Sequence, residues 1–168
     1  GQVDSIDLGA TRNIEVIRGP SSSLYGNASG GVINITSEEG PEIPYISTRI
    51  SAGDYDFQKV QLKAGGQTDL LNYFVSFSDM EVGGYREHSQ AESSQFTGRF
   101  NFDLGEDRDF RVVFNATDQP ISNDPGGVKE ADAAANPRAA RGRNVTYDTG
   151  EALNQERIGF VFSTPIGE

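Results

Sequence analysis

From Tyr45 onward the dominant period of the chain is two, and this constrains its fold more than any motif does. The clearest run is Phe96 to Leu104. Phe96, Gly98, Phe100, Phe102 and Leu104 take one side, and Thr97, Arg99, Asn101 and Asp103 take the other. An extended chain points successive side chains to opposite faces, whereas a helix would scatter these residues around its circumference. The same period sets Ile46, Thr48, Ile50 and Ala52 against Tyr45, Ser47, Arg49 and Ser51, and Val60, Leu62 and Ala64 against Lys59, Gln61 and Lys63. Leu71, Tyr73, Val75 and Phe77 oppose Asn72, Ser76 and Ser78, with Phe74 the large exception. Phe110, Val112, Phe114 and Ala116 oppose Arg111, Val113, Asn115 and Thr117; Ile158, Phe160 and Phe162 oppose Arg157, Gly159, Val161 and Ser163.

These segments predict six consecutive strands in an all-β antiparallel meander with one apolar and one polar face. The polar face repeatedly carries cations: Arg49, Lys59, Lys63, Arg99, Arg111 and Arg157. Two settings accommodate such a sheet. Its apolar face can pack on a second layer in water, or it can face lipid as part of a membrane barrel. Connection lengths bear on the choice. Gly65–Asp69 and Gly105–Asp109 are short, Gly83–Glu92 is about ten residues, and Gln119–Asn154 is long. Tight turns at one rim and long loops at the other suit an outer-membrane barrel. The short first connection, Gly53–Asp56, departs mildly from that rule.

Composition narrows the function. Net charge is -11, from 25 acidic and 14 basic residues, which argues against a nucleic-acid partner. Hydrophobic residues make up only 35% and mean hydropathy is -0.50, as expected where long strands bury one face. With no cysteine there is neither a disulfide scaffold nor a thiolate site. His88 is the sole histidine, beside Glu87 in a polar loop, so metal-ligand spacing is absent and no cofactor is implied. Ser21-Ser22-Ser23 has no visible His–Asp partnership, and nothing recommends an enzyme.

The N-terminal part differs in texture. Ile14-Glu15-Val16-Ile17 and Val32-Ile33-Asn34-Ile35-Thr36 predict two strands around a Gly- and Ser-rich connection. Ser21–Tyr25 has the length of about one helical turn, and Asp4 and Asp7 read as solvated turn acids. Glu38-Glu39-Gly40-Pro41-Glu42-Ile43-Pro44 reads as a linker and marks the best internal boundary.

Ile14–Ser37, IEVIRGPSSSLYGNASGGVINITS, closely resembles the end of the plug domain of TonB-dependent outer-membrane receptors. The match covers the acidic residue of the first strand, Arg-Gly-Pro, Leu-Tyr-Gly and Gly-Gly-Val-Ile-Asn, in the style of the siderophore receptors. The resemblance implies that residues 1–40 are the C-terminal part of a small α+β plug. Residues 45–168 would then be the first six strands of a transmembrane barrel of about 22 strands. It implies outer-membrane lipid, a ferric siderophore or related iron complex, and TonB (through a segment outside these residues) as partners. On that reading the chain is a piece of something longer and does not transport by itself. A plug-less porin or adhesin, and a soluble β-sandwich binding module, are the alternatives.

Candidate ligand residues follow. Tyr25, Asn27 and Ser29 flank or occupy the plug turn; Tyr85, Arg86, Arg138 and Arg141 lie in loops placed outside by strand parity. The core of the plug is expected to be held by Glu15 and Arg18, paired with each other or with Arg49, Lys59 and Arg99 on the barrel wall, because buried charges need partners. Within the long loop, Glu130–Ala135 has the composition of a short helix ended by Asn136-Pro137, and Arg138, Arg141 and Arg143 form a basic cluster.

Overall fold

The computed structural model describes residues 6–19 and 30–165. A 3-10 turn, Leu8–Ala10, is capped by Asp7, whose carboxylate accepts the Gly9 N–H at 2.9 Å. Strand β1 (Thr11–Arg18) follows and pairs antiparallel with β2 (Gly31–Ser37), placing Ile14 opposite Ile35 and Val16 opposite Ile33. The expected one-turn helix and Gly-rich turns between them fall outside the described residues.

The second sheet is an antiparallel meander in chain order: β3 (Tyr45–Ala52), β4 (Gln58–Gln67), β5 (Leu71–Val82), β6 (Ala91–Gly105), β7 (Arg108–Ser122) and β8 (Leu153–Ser163). The sheet is not closed, since β3 and β8 are its two edges. Cross-strand register carries each side chain onto the face that alternation assigns. Leu71, Phe102, Phe110 and Phe162 form one continuous row, and Tyr73, Phe100, Val112 and Phe160 the next. Rings meet along these rows: Phe110 stacks on Phe160 at 6.0 Å between centroids, and Phe96 tilts against Phe114 at 5.7 Å.

The burial of the two faces is the reverse of that in a water-soluble sheet. On the apolar face Ile46 is 84% exposed, Ile50 75% and Ile158 61%. On the polar face Gln61, Ser76, Ser78, Thr97, Arg99 and Thr117 are buried. Residues 6–12 and 37–40 lie across that polar face. Phe74, out of step in the sequence, faces the same way and is fully buried, with Lys63 Nζ 6.0 Å from its ring centroid. Phe74 therefore keeps the period of two, as a buried ring on the inward face.

The apolar side of β6 runs from Phe96 to Leu104, roughly 27 Å of strand at ~3.4 Å per residue. A strand of that length tilted by about 40° would rise about 21 Å, close to the ~25 Å apolar band of outer-membrane barrels. Strands β5, β6 and β7 run past the ends expected from alternation, into Glu81, Glu92 and Asp118. These polar rungs carry no apolar period, but ladder hydrogen bonds continue through them.

The loop after β7 holds two short helices, α1 (Glu130–Ala135) and α2 (Gly142–Thr146). The first matches expectation, with Asn136 as its C-cap. At the opposite rim Glu106 and Asp107 both take positive φ, near 54° and 55°, in the tight turn joining β6 to β7. This two-residue turn has the left-handed backbone that favours Asn-Gly, occupied here by two acids.

Candidate functional site

The covered face of the large sheet is held by three consecutive residues, Glu38-Glu39-Gly40. Glu38 accepts from Lys63 Nζ of β4 at 2.7 Å and from the Tyr45 hydroxyl of β3 at 3.4 Å. Glu39 pairs with Arg99 of β6 through one oxygen and with Arg12 of β1 through the other, the latter at 2.9 Å. Gly40 accepts from Asn72 Nδ2 of β5 at 2.6 Å and donates its N–H to Asn72 Oδ1 at 3.0 Å. The asparagine amide thus acts as a substitute strand partner. Three residues thereby tie the small hairpin to four neighbouring strands.

Each part of this clasp has a local cause. Glu38 leaves β2 with its N–H bonded to Ala10 O, which points both carboxylates at the sheet. Gly40 sits flush on the sheet backbone, and a Cβ there would run into the carbonyl oxygens of Gly66 and Tyr73. Arg99 is 5% exposed and also donates to Ser37 O at 3.2 Å, while its Nε has no partner among the described residues. Above the clasp, Asp7 accepts from the buried Ser76 hydroxyl at 3.0 Å. Asp7 is therefore a buried cap and a contact between the N-terminal segment and the sheet, not the solvated turn acid that the sequence suggests. It becomes buried because the hairpin lies on the sheet, which no local pattern announces. Beside it, Ile33 and Ile35 face Thr97, Asn115, Thr117 and Arg157 across a cavity of about 280 Å³.

A second group of residues knits the opposite rim, where the β3–β4, β5–β6 and β7–β8 connections meet. Arg86 is central to it. Its guanidinium donates to Ala139 O at 2.7 and 2.9 Å, to Gly126 O at 2.8 Å and to Pro125 O at 3.4 Å. Arg138 returns the contact, Nε to Tyr85 O at 3.0 Å, and Glu87 N–H donates to Arg138 O. The Tyr85 ring stands edge-on to Tyr55 at 5.3 Å, and His88 Nε2 lies 2.8 Å from Thr149 O. These loops enclose a cavity of about 620 Å³ lined by Asp56, Glu81, Glu87, His88, Gln90, Glu92, Asn123 and Val145, among others.

The candidate residues fall into distinct places. Tyr25, Asn27 and Ser29 lie outside the described residues. Arg86, Arg138 and Tyr85 are brought together, but through backbone carbonyls that use up much of their donor capacity. Arg141 is exposed and precedes α2, its N–H donating to Pro125 O. Glu15 accepts from Asn34, its cross-strand neighbour, at 3.2 Å, and Arg18 stands opposite Gly31 at the hairpin end. Arg99 pairs with Glu39 and Lys63 with Glu38, the two acids that read as linker. Arg49 shares a small cavity with Glu38 and Lys63, and Lys59 stands across from Ser51 and Met80. What could have pointed to Glu38 and Glu39 is their placement directly after β2, as adjacent acids facing a sheet rich in inward cations.

No protein-family model matches the sequence. The chain is similar to the metal-pseudopaline receptor CntO of Pseudomonas aeruginosa, 23% identical over 116 residues, which cover 67% of this chain and 16% of that protein. It is similar to the vitamin B12 transporter BtuB of Vibrio vulnificus, 32% identical over 91 residues (53% of this chain, 15% of that protein). A hemin receptor of Yersinia enterocolitica is 28% identical over 91 residues, 49% of this chain and 13% of its own length. The matches thus span about a sixth or less of these relatives. All three are receptors or transporters by name, which supports the receptor family that Ile14–Ser37 resembles.

Proposed function

We propose that this chain is part of a TonB-dependent outer-membrane receptor that imports a ferric siderophore or similar iron complex. Residues 1–40 are the closing part of its plug, and residues 45–168 are the first six strands of its barrel. One observation carries this reading: the large sheet exposes its apolar face and covers its polar face with the N-terminal hairpin. In water that arrangement would leave rows of Ile and Phe unburied, at roughly 25 cal/mol per Å² of apolar surface. In a bilayer the same rows meet lipid, and the polar wall meets a plug that carries complementary carboxylates. A soluble sandwich would cover the opposite face, and a plug-less porin has no use for a clasp.

On this reading the Tyr85–Arg86–Arg138 rim stands outside the cell, with Tyr25, Asn27 and Ser29 at the plug apex beneath it. The similar proteins named for a metal–pseudopaline complex, vitamin B12 and hemin fit a receptor for scarce metal-containing nutrients. TonB engages the parent protein through a segment outside this chain, and nucleic acid has no part. The test is uptake of radiolabelled iron(III) siderophore by cells expressing the full-length parent, with and without TonB. Uptake that needs both the parent and TonB is the expected result; equal uptake without TonB overturns the assignment.

A further inference from the structure

The β5–β6 and β7–β8 connections are fastened to each other by two side chains of different chemistry. One is Arg86, whose guanidinium donates to the carbonyls of Pro125, Gly126 and Ala139. Arginine keeps its charge across the physiological pH range, so this fastening does not switch. The other is His88, at the far end of the β7–β8 loop, where its Nε2 stands 2.8 Å from Thr149 O. A carbonyl can only accept, so Nε2 carries the proton and donates. Thr149 O also accepts the Asp124 N–H at 2.9 Å. One oxygen thus ties the two ends of its own loop to the neighbouring loop.

With Nε2 as donor, neutral His88 leaves Nδ1 as an acceptor, and Nδ1 lies 3.9 Å from Asp148 Oδ1. Two acceptors face each other there. Protonation turns Nδ1 into a donor, sets a cation against Asp148 and makes the Nε2 bond to Thr149 O charge-assisted. His88 and Asp148 both take positive φ, 56° and 49°, so the surrounding loops fix where each side chain leaves the backbone. The His88 side chain is 10% exposed and that of Asp148 90%. The cavity of about 620 Å³ beside the ring presents Asp56 from the β3–β4 connection, Glu81 from β5, Glu87 from the β5–β6 loop and Glu92 from β6. Helix α2 adds apolar Val145, and the described lining has no Lys or Arg. Arg86 and Arg138, in the same knot of loops, are turned to backbone carbonyls.

We propose that His88 is a pH-sensitive latch: its protonation fastens the 148–149 corner of the β7–β8 loop to the β5–β6 loop, and its deprotonation loosens that corner while Arg86 holds the rest. The direction follows from the bonds. The closed arrangement gains a donor and an attraction on the acid side, and loses both as pH rises through the range where histidine gives up its charge. Because Asp148 is exposed, the gain is small and local. The latch is independent of which ligand the receptor carries.

The test is native-state amide exchange on the full-length parent in detergent micelles, at about pH 5.5 and about pH 8, on either side of the histidine range. Protection factors, taken against the intrinsic exchange rate at each pH, remove the chemical effect of pH itself. The Asp124, Asp148 and Thr149 amides should gain about two- to fivefold protection at the acid end. The Arg141 amide, bonded to Pro125 O beside the Arg86 fastening, should stay level. His88→Gln keeps a side-chain N–H for Thr149 O but does not titrate, and should abolish the gain; Asp148→Asn should reduce it. Assembly of both variants is checked by heat-modifiable gel mobility. Protection at 148–149 that is level in the parent, that falls on acidification, or that rises equally in the parent and in His88→Gln overturns the latch. Were His88→Gln not to assemble, the parent decides by itself: an equal change at Thr149 and Arg141 overturns the latch, and a gain confined to Thr149 and its neighbours supports it.

Discussion

The two faces of the six-stranded sheet are built from the same strands, yet they obey opposite rules. On one, Ile46, Ile158, Phe160 and Phe162 stand uncovered, related by register alone. On the other, Ser76 and Arg99 are buried and hydrogen-bonded to a segment more than 50 residues away in sequence. The contrast teaches that burial here does not follow hydrophobicity. The inner face is specified by charge-assisted bonds, which are directional and need a particular partner. The outer face is specified by composition, which needs only an apolar surrounding.

The comparison can be broken most forcefully from outside. Phe100 lies mid-band, so Phe100→Arg should cost the full-length parent about 2–4 kcal/mol, measured by denaturant titration in lipid vesicles. The same charge at inward-facing Ser47 should cost under about 1 kcal/mol. On the inner face, Glu39→Ala strands Arg99, which is 6% exposed at its side chain, while Glu39 itself is 38% exposed. That semi-exposed partner tempers the loss to about 2–3 kcal/mol in the same titration. At the rim, Arg86→Ala removes one cation from three backbone carbonyls. Amide exchange across residues 124–140 should accelerate by roughly 30-fold, about 2 kcal/mol of local opening. Smallest is the reverse case: Glu106→Asn with Asp107→Gly relieves two left-handed acids and should stabilise the β6–β7 hairpin by about 1 kcal/mol, seen as a raised unfolding midpoint.

The faces were legible in the sequence because side-chain period and sheet geometry are the same fact. Phe96, Phe100, Phe102, Phe110, Phe114, Phe160 and Phe162 needed only counting, and Arg99, Asn101, Arg111 and Asn115 fell opposite them. The connections were legible by length, as was α1 by its alanines. The clasp was not, because Glu38-Glu39-Gly40 looks like any charged linker until β2 has been laid across the sheet. Arg86 reads as a ligand residue from its charge and loop position. Its actual partners are backbone carbonyls, which carry no sequence signature. Phe74 reads as the large exception on a polar face, and the sequence does not announce that its ring is fully buried beside Lys63. What the sequence hides here is contact between distant segments; what it shows is everything within one strand.

The central claim is that adjacent residues of β6 face different solvents, lipid for Phe100 and a polar lumen for Asn101. Nitroxide labels placed singly at these positions (Phe100→Cys and Asn101→Cys, in a chain without cysteines) test it in the membrane-embedded full-length parent. Relaxation is measured with oxygen, which partitions into lipid, and with a water-soluble nickel chelate. The account predicts strong relaxation by oxygen and little by nickel at position 100, and the reverse order of preference at position 101. Equal response of both positions to oxygen would contradict it.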